Sequence, residues 1–106
     1  MRNSLSPDEF SRVYETGVRF KADILTLMFL ARGKNDFKFG VAVKRGANAV
    51  KRNLIKRRIR SILYEAEKHL VSGGHIVIAV SSDILKVPAV KIRETLYLKL
   101  KSAGML

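Results

Sequence analysis

Apolar and polar positions change period several times along the chain, and each change marks an element. Residues 5–17, LSPDEFSRVYETG, place Phe10, Val13 and Tyr14 on one helical face. Ser6 stands as an N-cap, Pro7 as the first helical residue, Glu9 as the return half of a capping box and Gly17 as the stop, with Leu5 and Phe10 set to form a hydrophobic staple. The pattern predicts a short capped helix. From residue 18 the period falls toward two. VRFKA (18–22), ILTLMFLA (24–31) and FKFGVAVK (37–44) read as two or three strands, and the polar GKND before the last reads as a hairpin turn. In FKFGVAVK, Phe37, Phe39, Val41 and Val43 point one way and Lys38, Gly40, Ala42 and Lys44 the other, so one face is apolar and the other small or cationic.

After RGANA (45–49) a helical pattern runs from about Val50 to Leu70. At about 100° per residue, Leu54, Ile55, Ile59, Ile62, Leu63, Ala66 and Leu70 share one broad side, and Asn53, Lys56, Arg57, Arg60 and Tyr64 the opposite one. SGG (72–74) ends this helix, HIVIAVS (75–81) is a strongly apolar strand, and Pro88 opens a last helix with Ala89, Ile92, Leu96, Leu100 and Ala103 as its stripe. No repeat or linker interrupts the series. The expected fold is α+β, one domain over residues 1–106, with about four strands packed with three helices in the order α-β-β-β-α-β-α. A length of 106 residues with 47% apolar content suits one modest core.

Charge alters this plain picture. The chain carries 21 Lys and Arg against 9 Asp and Glu, a formal net charge of +12. The excess is uneven: Lys38, Lys44, Arg45, Lys51, Arg52, Lys56, Arg57, Arg58 and Arg60 fall between residues 37 and 64 without one acid. An ordinary solvated helix mixes signs to gain i,i+4 pairs, whereas like charges side by side cost free energy until a polyanion neutralises them. Nucleic acid is the first candidate partner and an anionic membrane surface the second. About five phosphate contacts give a log-log salt slope of roughly −4 on duplex. The block is threaded with core-type aliphatics, which argues against a detachable targeting tag. ILTLMFLA is far shorter than a membrane span, and Arg2 is not followed by an apolar signal region, so a soluble, unexported protein is expected. The lack of cysteine removes disulfides and thiolate metal sites and fits a cytoplasmic location.

Autonomous catalysis finds no support in the pattern. HExxH, DxD, Walker and GxSxG motifs are missing, the acids are scattered, and a protein-borne nuclease site gathers carboxylates around metal. His69 reads as a cation at a helix C-terminus and His75 as a strand-edge residue. Two readings stay open for Phe10, Tyr14 and Phe20: core aromatics, or a groove in which single-stranded bases stack beside Arg19, Lys21 and Lys44.

AVKRNLIKRRIR (49–60) resembles the signature of the bacterial ribonuclease P protein subunit, through Ala49, Val50, Arg52, Asn53, Ile55, Lys56, Arg57 and Arg60. DEFSRVYETG (8–17), FGVAVKR (39–45) and HIVIAVS (75–81) resemble the family's first helix, the strand leading to its signature and its next strand. The resemblance implies a left-handed βαβ crossover, against the general rule of handedness. It also implies a protein cofactor whose RNA subunit is the catalyst, using Mg²⁺ to hydrolyse a phosphodiester and mature the 5′ end of tRNA. The implied partners are the catalytic RNA and precursor tRNA, with no membrane and no obligate protein partner. By the resemblance, Lys51, Arg52, Asn53, Lys56, Arg57 and Arg60 contact the catalytic RNA, while Phe10, Tyr14, Phe20 and Lys44 line a cleft for the 5′ leader. Leu54 stands where the family has a further arginine, so one RNA contact is either missing or shifted to Arg57 or Arg58, and the acidic start before Phe10 lacks the basic leader segment common in the family. The alternative is a structural binder of ribosomal RNA on a similar fold, without a processing role.

Overall fold

A computed structural model describes residues 4–44 and 47–106; Arg2, Arg45 and Gly46 lie outside the described residues. The elements are α1 (Pro7–Thr16), β1 (Val18–Lys21), β2 (Thr26–Ala31), β3 (Phe37–Val43), α2 (Ala49–Glu67), β4 (Gly74–Val80), a 3₁₀ turn (Ser82–Lys86) and α3 (Ala89–Ser102). The expected order holds, with the 3₁₀ turn added. Helix α2 ends at Glu67, short of Leu70, because Lys68 already caps it before the SGG segment.

The four strands form one mixed sheet in the order β1-β2-β4-β3. Here the GKND reading is overturned. Gly33 and Asp36 do close a tight turn, Asp36 N–H to Gly33 O at 2.9 Å, but β2 and β3 do not pair with each other. Both pair with β4, β2 antiparallel and β3 parallel. The reason lies in β4: His75 to Ile78 are buried on both faces, and such a strand is stable only inside a sheet. The hairpin is instead β1–β2, closed by Ala22 N–H to Leu25 O at 2.8 Å.

Each face of the sheet holds a core. On one, Leu27, Phe37, Phe39, Ile76, Ile78 and Val80 meet Ile55, Ile59, Leu63 and Ala66 of α2 and Ile92, Leu96 and Leu100 of α3. On the other, Val13 of α1 packs with Met28 and Val77, flanked by Leu5, Phe10, Leu30, Ala42 and Ala79. The alternation read in β3 is thus correct, with its apolar residues under α2 and its small ones under α1. Cross-strand register extends the small face: Ala42, Ala79 and Thr26 stand side by side across β3, β4 and β2.

The helix ends follow the sequence closely. Ser6 Oγ accepts from the Glu9 amide while the Glu9 carboxylate accepts from the Ser6 amide, the expected capping box. Asn48 caps α2 through the Lys51 amide. Gly104, at φ 81°, ends α3 in a Schellman arrangement, with Met105 N–H on Leu100 O and Gly104 N–H on Lys101 O. That turn buries Met105 beneath the end of α2 and brings its carbonyl to the Val71 amide.

Candidate nucleic-acid interface

Helix α2 sets the site because its two sides have different tasks. Ile55, Ile59, Leu63 and Ala66 fill the core, which leaves Lys51, Arg52, Asn53, Arg57 and Arg58 exposed and Lys56 and Arg60 half-buried at the shoulder. None of these cations forms an ion pair with a described residue. Their charge therefore stands uncompensated along one ridge. Two of the side assignments shift in the structure. Leu54 is half-buried and belongs to neither core cluster, and Tyr64 leans inward, its ring edge-on to Phe39 at 5.4 Å. At position 64 the outward side of the helix gives way to an aromatic contact worth about 0.5–1.5 kcal/mol.

Asn53, Lys56, Arg57, Arg60, Ser61 and Tyr64 line an open groove of about 610 Å³. Lys56 and Arg60 also reach across the β3 edge into a smaller pocket of about 180 Å³, where they meet Ser4, Leu5, Phe10, Phe39, Gly40 and Val41. The basic helix and the first aromatic of α1 thus share one depression. Phe10 lies against Gly40, where an added Cβ would come within 2.9 Å of its ring. Tyr14, 45% exposed, stacks beside Phe10 with ring planes 15° apart and centroids at 6.3 Å, and Arg19 lies over the Tyr14 ring at 5.4 Å. Phe10 thus packs beside the Val13, Met28 and Val77 core and also lines the smaller pocket, whereas Tyr14 stands outside both core clusters and both pockets, stacked on Phe10.

The other cleft residues are placed differently. Phe20 pairs in register with Leu27 and packs in the α2/α3 core, on the opposite face of the sheet from Phe10 and Tyr14. It is a core aromatic, because one residue of β register sends it to the wrong side. Lys44 is exposed just past β3 and lines neither pocket. Arg19 and Lys21 pair with Met28 and Thr26, which puts them on the α1 face.

An ion pair ties α1 to the sheet beside this surface. Lys38 Nζ donates to Glu9 Oε2 at 3.0 Å, tying the helix start to β3. The Ser6 backbone N–H, then the Lys38 ammonium, draw the Glu9 carboxyl down to about 2 from its ordinary 4.5. His75 is not a strand-edge residue. It sits on the central strand, 4% exposed, with Nε2 2.9 Å from Asp36 Oδ1, and that bond, with help from Arg32, holds the Asp36 carboxyl below its usual range. Burial of an imidazole on a central strand needs such a partner, and the only sign of it in the sequence was an acid at the end of the GKND turn. His69 is exposed just past α2, as expected. Glu65 bonds Arg93, tying α2 to α3; the guanidinium lowers the Glu65 carboxyl and is itself raised in turn.

Fold and surface together define a small α+β domain that presents an unneutralised cationic ridge ending in an aromatic pair, the electrostatics of a polyanion binder. The chain belongs to the ribonuclease P protein family, whose model, described as Ribonuclease P, matches residues 3–103. It is 39% identical over 74 residues to the ribonuclease P protein component of Picosynechococcus sp., covering 68% of this chain and 64% of that protein. Against the component from Coprothermobacter proteolyticus it is 36% identical over 85 residues, covering 77% and 71%. The chain thus spans just under two thirds of the first of these relatives. Among solved structures, the RNase P protein from Thermotoga maritima superposes with a TM-score of 0.82 at 25% identity, covering 93% of this chain and 96% of that one. A Staphylococcus aureus RNase P protein mutant with defective mRNA degradation activity superposes at 0.84 with 22% identity over 99% and 91%, a likeness of fold. Among the described residues no helix is long and apolar enough to cross a membrane.

Proposed function

We propose that this chain is the protein cofactor of a ribonuclease P ribonucleoprotein, gripping the catalytic RNA with α2 and the 5′ leader of precursor tRNA with the groove that ends at Phe10 and Tyr14. The observation that carries this reading is the continuity of that groove: Lys56 and Arg60 line both the basic depression on α2 and the pocket under Phe10. A single strand leaving one RNA surface enters the other without crossing an acidic boundary.

The chain's residues then act by binding and positioning. Lys51, Arg52, Lys56, Arg57 and Arg60 replace counterions on phosphates, and Asn53, on the same ridge, offers an amide to a base or ribose. Phe10 and Tyr14 offer ring edges and faces to leader bases, each stack worth about 1–3 kcal/mol. Among the described residues no three His, Cys, Asp or Glu side chains gather as metal ligands. On this reading magnesium and the hydrolytic site belong to the RNA, and the protein raises the local stability of RNA folds and of the bound substrate. The setting is cytoplasmic, where precursor tRNA and the RNA subunit meet.

Reconstitution tests this directly. With its cognate catalytic RNA at Mg²⁺ too low for the RNA alone, adding the protein restores 5′ maturation of precursor tRNA. No rescue at any protein concentration overturns the reading.

A further inference from the structure

A second, larger groove lies on the other side of the α2 ridge. It measures about 800 Å³, between α2, the 3₁₀ turn and the start of α3, within the range of roughly 300–1,000 Å³ typical of ligand sites. Its floor is aliphatic: Ile62, Leu85, Val87, Pro88, Val90 and Ile92. Val90 leaves 66% of its surface in water, an apolar exposure that no described residue relieves. The rim is cationic. Arg57 and Arg58 make no ion pair with a described residue, whereas Arg93 is bound to Glu65 and Lys86 lies near Asp83.

Two features decide what fits. Arg57 and Ser61 line both this groove and the basic depression across the ridge, so whatever lies along α2 reaches the groove by bending over a single turn of helix. The charges of the two grooves are of one sign, so the same polyanion is complementary to both. Resting on the reading of α2 as an RNA-binding helix, we propose that this groove receives one unpaired nucleotide of the RNA docked on α2. Its base lies on the aliphatic floor and its flanking phosphates sit on Arg57 and Arg58. A base turned out of its stack has an apolar face that an aliphatic floor can cover, while a duplex is too wide to enter. No backbone sheet edge or side-chain amide reads the base there, so the site takes any of the four bases with similar affinity. An acidic peptide with an aliphatic anchor has related chemistry, but it competes with RNA for Arg57, which makes it the less favoured occupant.

The test uses the whole chain, methyl-labelled for NMR, with pentauridylate and the same ribose-phosphate chain lacking bases. Pentauridylate shifts the methyls of Ile62, Leu85, Val87 and Val90 together with the α2 stripe, whereas the base-free chain shifts only the stripe and binds roughly fivefold more weakly. Val90→Asp, at an exposed site, removes the groove shifts and about fivefold of affinity, while Leu98→Asp, 60% exposed on α3 and outside the groove, makes the same charge change and leaves binding within about twofold. Stripe shifts with silent groove methyls, or equal losses in the two variants, overturn the nucleotide site and leave the α2 reading standing. No shift on the stripe overturns both. Groove shifts with a Leu/Glu peptide but none with pentauridylate reassign the groove to a protein partner.

Discussion

Single atoms decide several features of this surface. At Gly73 an added Cβ would stand 1.8 Å from Gly33 O, where the β2–β3 turn meets the segment entering β4, and neither backbone can retreat without breaking the Asp36–Gly74 hydrogen bond. Gly73→Ala is expected to cost about 1–3 kcal/mol, whereas Gly33→Ala, with nothing within 4 Å, leaves stability unchanged or raises it by up to about 1 kcal/mol; urea melts of the two variants give the comparison. Acid sensitivity is also set residue by residue. Glu9, Asp36 and Glu65 all have folded-state pKa values below their ordinary ones, so the folded chain binds fewer protons than the unfolded one as the carboxylates titrate. Their stabilisation is complete above the ordinary carboxylate range and is lost as pH falls, for Glu9 between 4.5 and about 2. Thermal midpoints measured across that window should fall steeply in the native chain and less steeply in Glu9→Gln. An unchanged acid limb in the variant removes Glu9 from the account.

At the scale of elements, shared residues in the groove make a sharper prediction than two separate surfaces would. Arg60 lines the pocket under Phe10 as well as the α2 depression, and Arg57 only the latter and the aliphatic groove. Arg60→Ala is therefore expected to lower both affinity for the catalytic RNA and preference for precursor over mature tRNA. Arg57→Ala is expected to lower chiefly the first, each loss being about 1–2 kcal/mol for a charged contact. Phe10→Ala lowers chiefly the second, measured after melts establish how much its packing on Val13, Met28 and Val77 contributes. Filter binding with the RNA and competition between the two tRNA forms separate these outcomes; identical profiles for Arg57→Ala and Arg60→Ala remove the shared pocket. The elements themselves were legible because local chemistry writes them: the capping box of α1, the alternation of β3, the apolar side of α2. Pairing was not. GKND has the composition of a hairpin turn and does form a turn, yet the strand that enters between its arms comes more than thirty residues later, and only the two-sided burial of β4 demands it. The same non-local step hid the fate of Phe20, whose side of the sheet depends on register with Leu27, and the His75–Asp36 bond, which forms across the β3–β4 pairing.

For the whole molecule the governing quantity is its net charge of +12. A compact chain of 106 residues with this excess repels itself, and three of its nine acids join separate elements: Glu9 to Lys38, Asp36 to His75 and Arg32, Glu65 to Arg93. Those pairs brace α1 on β3, the turn on β4 and α2 on α3, so they fix the scaffold and leave the α2 cations unpaired for a partner. On the proposed reading, binding is dominated by counterion release, and salt is the variable that exposes it. If Lys51, Arg52, Lys56, Arg57 and Arg60 each neutralise a phosphate, the logarithm of the association constant falls against log salt with a slope of roughly −4.5 on duplex and nearer −3.5 on single strands. Replacing Arg52 and Arg57 by alanine removes two of the five contacts and shallows that slope by about 1.4–1.8. Conversion of Lys34 and Lys101 to alanine, both exposed and outside the α2 stripe and the grooves beside it, changes net charge equally but leaves the slope near its native value. Titrations from about 50 to 200 mM monovalent salt distinguish a bound stripe from diffuse attraction, for a slope that tracks net charge alone, whichever pair of cations is removed, leaves α2 no special role in binding.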